Sequence, residues 1–258
     1  MPKKVINVPD KDAGIRPLTR KELHDTASDR VSLIAKEFTN GFNFLRHYPK
    51  SVTIFGGAHF KETDETYIQA RSLASRIVTD LKYAIFTGGG PGVMEGANRG
   101  AFESGGQSLG LTIELAHHQI KNPYLTKNID FYYFFSRKVS LSFSAEAYIF
   151  FAGGFGTFDE FFEILTLVQT QKIEKVPIIL VGSDFWNPLH ELMKKEMLSR
   201  GTVEEVDLTL YTITDDENHI IDIIRNAPIH NGIKFTHKDL LQSGLSIEKK
   251  RKFPAPEF

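Results

Sequence analysis

From about residue 50 to residue 226 the chain alternates short apolar runs with longer stretches whose apolar positions recur every three or four residues. Runs such as "SVTIFGG", "YAIFTGGG", "SLGLTIEL", "AYIFFAGG" and "VPIILVG" are apolar at successive positions, the pattern of strands buried on both faces. "IDFYYFF" predicts a short aromatic strand or edge segment, and "LYTITD" a last strand. The stretches between them predict helices over Tyr67–Asp80, Pro91–Ser104, from near Ser136, Thr157–Gln171, Phe185–Arg200 and 216–226. Upstream, Val31, Ile34, Ala35, Phe38, Phe42 and Leu45 fall at helical spacing. They predict an N-terminal helix within 19–48, laid on the main domain.

Strands alternating with amphipathic helices require right-handed crossovers and a mostly parallel sheet covered on both faces. The fold class is therefore doubly wound α/β, Rossmann-like. The chain divides into an N-terminal arm and helix (1–48), the α/β domain (49–228) and a C-terminal extension (229–258). Residues 1–18 read as a loose polar arm, and the closing "IEKKRKFPAPEF" as a solvated run.

Sheets of this kind bind ligands at the carboxyl ends of their strands. Two glycine clusters sit there: "TGGGPGVMEGANRG" (Thr87–Gly100) and "FAGGFGTFDEFFE" (Phe151–Glu163). Each follows an apolar strand and opens a helix. Glycine lets a ligand approach the backbone, and free amides at a helix start favour an anion, typically phosphate. Pro91 suits a first helical turn. Thr157 can cap its helix or donate to a phosphate oxygen. Glycines also simply make tight turns, but two such loops at one sheet edge point to a phosphate-bearing ligand between them. Neither loop fits G-x-G-x-x-G or the G-K-[ST] phosphate loop. Glu114, about 20 residues beyond the first loop, stands where a ribose-binding acid would.

Composition narrows the class. The net charge of −1 provides no basic field for nucleic acid, and no stretch is long and apolar enough for a membrane span. The absence of cysteine excludes disulfides, thiolate metal sites and a Cys nucleophile, and suits a reducing, cytoplasmic setting. His59, His117 and His118 have no metal-ligand spacing with any acid, so no catalytic metal is expected. G-x-S-x-G is absent, which leaves a hydrolase triad without support.

Two features of the charge pattern bear on chemistry. Glu160 and Glu163 share a helix face. Glu160, read as lying in the first turn, should be held ionised by the helix dipole. Arg137 and Lys138, by contrast, fall in a first helical turn, where cations are disfavoured by about 0.3–1 kcal/mol. That local cost calls for an anionic ligand or a facing carboxylate.

The segments "GGGPGVMEGANRGA", "FFSRK" and "GGFGTFDE" lie in the order and spacing of G-G-G-x-G-x-M-E, R-K and P-G-G-x-G-T-x-x-E. Over about residues 50–226 the chain thereby resembles the LOG ("Lonely guy") family, often described as possible lysine decarboxylases. An "IEL" and an "NPY" segment, at Glu114 and Asn122–Tyr124, match the longer form of that family. The resemblance implies a nucleoside 5′-monophosphate phosphoribohydrolase, which releases free base and ribose 5-phosphate from AMP-type or cytokinin nucleotides. It implies Arg137 and Glu160 as the catalytic pair. The substrate would be bound by Gly89, Gly90, Gly92, Met94, Glu95, Glu114, Lys138, Gly153, Gly154, Gly156, Thr157 and Thr166. It also implies no cofactor, and a homodimer joined through the Phe-rich helix after Thr157. A lysine decarboxylase would need a pyridoxal Schiff-base lysine, which nothing in the sequence marks. Three positions depart from the family pattern: Ala152 replaces the proline of P-G-G, and Gly57 and His59 replace a serine and an arginine after the first strand. The alternative function is a non-catalytic nucleotide or cofactor carrier, like molybdenum cofactor carriers, which need not keep the Arg–Glu pair. A dinucleotide oxidoreductase is weakened by the failed G-x-G-x-x-G.

Overall fold

The computed structural model describes residues 19–21, 27–114 and 121–229. The expected polar arm, His117 and His118, and the basic tail beyond Asn231 lie outside these residues. Among the described residues, seven strands form one sheet in the order β4-β3-β2-β1-β5-β6-β7. They are β1 (Ser51–Phe55), β2 (Ala84–Thr87), β3 (Ser108–Ile113), β4 (Lys127–Phe131), β5 (Ala147–Phe150), β6 (Ile178–Leu180) and β7 (Thr212–Ile213). Every pairing is parallel. The sheet is doubly wound, as the alternating pattern predicts.

The helices are α1 (Ala27–Leu45), α2 (Glu65–Arg76), α3 (Val93–Glu103), α4 (Phe134–Ser142), α5 (Phe155–Gln169), α6 (Ser183–Leu192) and α7 (Glu217–Asn226). Both faces of the sheet are apolar because successive strand residues point to opposite sides. Tyr148 and Phe150 of β5 join Leu45, Leu141, Phe161 and Trp186, beneath α1, α4, α5 and α6. Ala147 and Ile149 join Leu73, Ala97 and Ile220, beneath α2, α3 and α7. β4, the exposed edge strand, is buried only at Phe131.

All six helix starts predicted within the domain differ from the observed ones by one or two residues, and two of these shifts bear on the site. Pro91 lies outside α3, because Gly92 at φ +71° cannot join a right-handed helix and serves as its N-cap. α5 begins at Phe155, two residues early, with Gly154 as N-cap and its carbonyl accepting from the amides of Thr157 (3.0 Å) and Phe158 (3.2 Å). Thr157 is therefore inside the helix rather than its cap, and Glu160 falls in the second turn, beyond the main reach of the dipole.

Candidate active site

The chain lays β1 to β4 outward in one direction, then returns to place β5 on the other edge of β1. The order reverses between β1 and β5, and a crevice opens where their outgoing loops part. The two glycine clusters follow β2 and β5. A third turn, Gly56–Gly57 after β1, lies between them and joins both. The Gly57 amide donates to Ala152 O (2.9 Å), and its carbonyl accepts from the Val93 amide (3.0 Å). Gly92 must be glycine here: beyond its positive φ, an added Cβ would fall on the Gly57 carbonyl oxygen. Gly153 is equally tight, since its Cβ would meet Thr157 and lie 2.9 Å from the Gly57 amide.

These loops floor a cavity of about 790 Å³. Phe55, Phe60, Phe134, Leu141 and Phe185 give it apolar walls, and His59, Asp64, Arg137, Lys138, Asp159 and Glu160 line it with polar groups. α4 and α5 present the charged set. Glu160 is only 8% exposed. Its Oε2 is buried and meets no hydrogen-bond partner among the described residues. Burial pushes its pKa from the ordinary 4.5 up to about 7; the charges of Lys138 and Arg137 pull it down, and those of Glu163 and Asp159 push it up. The dipole-held ionised carboxylate expected from sequence is thus replaced by one poised near neutrality, because desolvation outweighs every neighbouring charge.

Arg137 donates from Nε to Leu111 O at the end of β3 (2.8 Å). Its guanidinium lies against Gly88, where an added Cβ would strike Nη2. Burial lowers its pKa, and the charge of Glu160 works the other way. Lys138 is held by Asp159 (2.7 Å) and Glu163 (2.6 Å). Burial opposes its charge, but these ion pairs outweigh it and raise its pKa overall. The facing carboxylates that the two cations called for are therefore supplied by α5.

Of the residues singled out from sequence, Met94, Arg137, Lys138, Gly153, Gly154, Gly156, Thr157 and Glu160 meet at the cavity. Gly89, Gly90, Gly92, Glu95, Glu114 and Thr166 are not among its lining residues. Gly89 and Gly90 instead accept from the amide and side chain of Asn122, both at 3.0 Å, anchoring the "NPY" segment. Glu95 accepts from the Tyr67 hydroxyl (3.2 Å). Glu114 is exposed, its amide donating to Phe131 O (2.7 Å). Thr166 is exposed almost two turns beyond Glu160. Gly88, Asp64, Phe60 and Asp159 reach the cavity without having been singled out. The Gly-Gly after "SVTIF", a third strand that ends in glycine, was the visible signal for Phe60 and Asp64, while Gly88 and Asp159 lie within the two glycine clusters themselves. The Phe-rich face of α5 turns inward: Phe161 packs on Trp186 (5.5 Å between centroids) and Tyr211 (5.7 Å), and Phe158 on Trp186 (5.4 Å). Phe155, at 97% exposure, is what that helix offers outward.

Comparison with known proteins bears on the fold and the family. A cytokinin riboside 5′-monophosphate phosphoribohydrolase of Rhodococcoides fascians is 27% identical over 151 residues, covering 56% of this chain and 74% of that protein. Among solved structures, the structural-genomics target TM1055 superposes with a TM-score of 0.51 at 21% identity, over 68% of this chain and 98% of its own. The molybdenum cofactor carrier protein of Chlamydomonas reinhardtii gives 0.50 at 20% identity, over 68% and 96%. Both show the same fold. The family model described as "Possible lysine decarboxylase" matches residues 94–224, about half of the chain, from Met94 through Arg137 and Glu160. On that match, the chain belongs to the LOG family.

Proposed function

We propose that this protein hydrolyses the N-glycosidic bond of nucleoside 5′-monophosphates bearing an adenine-type base, releasing the base and ribose 5-phosphate. The observation that carries the reading is Glu160 Oε2: a buried carboxylate oxygen with no partner among the described residues, on a side chain that lines the cavity at the sheet's switch point. Buried polar atoms are nearly always satisfied, so an orphan of this kind is reserved for a ligand or a water. Loss of the base leaves positive charge on the ribose ring as the C1′–N bond breaks. The Glu160 carboxylate stabilises that charge and takes a proton from the water whose oxygen bonds to C1′; the departing base gains a proton from solvent and Glu160 returns its proton to solvent, so that one water is added overall. A pKa of about 7 matches the task, because a general base works best near the operating pH. Lys138 and, less strongly, Arg137 keep part of the Glu160 population ionised, and Arg137 offers its remaining N–H groups to the substrate. The start of α5 receives the 5′-phosphate, which fixes the ribose through binding far from the reacting bond.

The absence of cysteine supports action in a reducing, cytoplasmic setting. The exposed rings of Phe155 (97%) and Phe134 (58%) beside the cavity support a homodimer, which sedimentation would reveal as twice the chain mass.

The test is release of free base from a panel of nucleoside 5′-monophosphates, with Glu160→Gln alongside. Release that disappears in the variant supports the hydrolase. AMP bound but left intact would instead support a non-catalytic nucleotide or cofactor carrier.

A further inference from the structure

α4 carries Arg137 and Lys138 yet has none of the usual devices of a helix start. Its N-cap Tyr133 makes no side-chain capping bond, and its first turn contains no acid. The missing carboxylate comes from α1. Glu37 accepts the amide of Tyr132 (2.7 Å) through Oε1 and the amide of Tyr133 (3.3 Å) through Oε2, and the Ser136 hydroxyl also donates to it. These contacts span nearly a hundred residues of sequence. They place a negative charge at the amino end of a helix whose own side chains there are cationic, the arrangement that the dipole and the two cations both favour.

The rest of α1 fixes Glu37 in place. An added Cβ at Gly41, one turn on, would lie 2.6 Å from Ser140 Oγ and 3.1 Å from the Phe131 ring, so α1 and α4 cross at near-backbone contact. On either side Phe38 meets Phe135 (6.4 Å) and Phe42 meets Phe143 (6.0 Å). Arg137 follows Ser136 directly, and its guanidinium is threaded between Leu111 O and Gly88 with little freedom to adjust. A shift or fraying of the first turn of α4 would therefore pass straight to Arg137.

We propose that Glu37 is a positioning residue: from the N-terminal helix it holds the first turn of α4, and so sets where Arg137 meets the substrate. This rests on the reading of the cavity as a nucleotide site in which Arg137 acts.

The experiment compares Glu37→Gln, Arg137→Lys and the double variant. Hydrogen exchange of the peptide over residues 132–142 is read together with kcat and KM for base release. In Glu37→Gln, exchange over 132–142 should rise roughly five- to tenfold, as for a lost helix cap. The rest of the sheet should stay protected, and kcat should fall about tenfold through misplacement of Arg137. The double variant should be no slower than Arg137→Lys alone, because both lesions act through one group. Exchange that rises across the whole domain with kcat unchanged, or kcat losses that multiply in the double variant, overturns the inference. A wild-type protein that binds AMP without releasing base overturns the hydrolase reading instead. The same cycle is then read on AMP affinity, where multiplicative losses overturn the positioning role and coincident ones uphold it.

Discussion

Replacing Glu160 by glutamine should remove activity and at the same time make the folded chain more stable at alkaline pH. The carboxyl titrates at about 7 in the folded protein against an ordinary 4.5. Below the ordinary value both states hold the proton and the group contributes nothing to pH dependence. Between the two values the folded state keeps a proton that the unfolded state has released, so stability falls as pH rises; above about 7 the full cost is present. At roughly 1.4 kcal/mol per pH unit, the raised pKa of Glu160 costs the folded state about 3 kcal/mol at pH 8 but only about 1 kcal/mol at pH 5. Glutamine is nearly isosteric and does not ionise. Its advantage over glutamate should therefore widen by about 2 kcal/mol between pH 5 and pH 8, whatever constant offset its amide introduces. For a domain of this size that corresponds to a relative gain in Tm of about 4–8 °C. Thermal or urea unfolding of both proteins, followed by circular dichroism at pH 5, 6.5 and 8, would measure it. A stability gap that stays flat or narrows over that range refutes the claim that burial dominates at Glu160, and with it the argument for a base poised near neutrality.

Three further outcomes follow from the same geometry. With Glu160 as the base, kcat/KM should rise with pH through about 7 and level off above it, read from initial rates at subsaturating substrate. The charge of Lys138 helps hold the Glu160 pKa down, so Lys138→Gln should move that rising limb to higher pH, and an unmoved limb would show the two groups to be uncoupled. An added Cβ at Gly154 or Gly156 meets nothing, whereas at Gly92 it meets backbone at positive φ. Gly92→Ala should therefore cost about 2 kcal/mol or more in unfolding experiments, while Gly154→Ala and Gly156→Ala should leave the fold intact and weaken nucleotide binding in calorimetry, as expected if the phosphate approaches them closely.

The sheet, its parallel pairing and the placement of both glycine loops at strand ends were legible because each rests on local pattern. What the pattern could not carry was order in space. Nothing in "SVTIFGG" announces that its glycine turn will stand between the other two, since the reversal at β1 is decided by how all the crossovers pack. Helix starts were misread for a related reason. Gly154-Phe155-Gly156 has the composition of a loop, yet Gly154 takes the cap and Gly156 is the second residue of α5 despite its weak helix propensity. That two-residue error placed Glu160 in the first turn rather than the second and led to the wrong ionisation argument, which burial then reversed. Glu37 was invisible as a partner for α4, because a carboxylate on one helix does not signal which distant amides it will accept.

The central place of β1 also bears on how the chain is made. Val52 pairs with Ala147, so 95 residues must follow before that edge finds its partner. At about 5–20 residues per second, a ribosome takes roughly 5–20 s to supply them. During that interval the nascent sheet carries an open apolar edge at its future centre, and the crevice has only one wall. A chain stalled before Ala147 would present "SVTIF" to any neighbouring strand, which makes β5 the segment that covers the open edge of β1 and begins the second wall of the cavity.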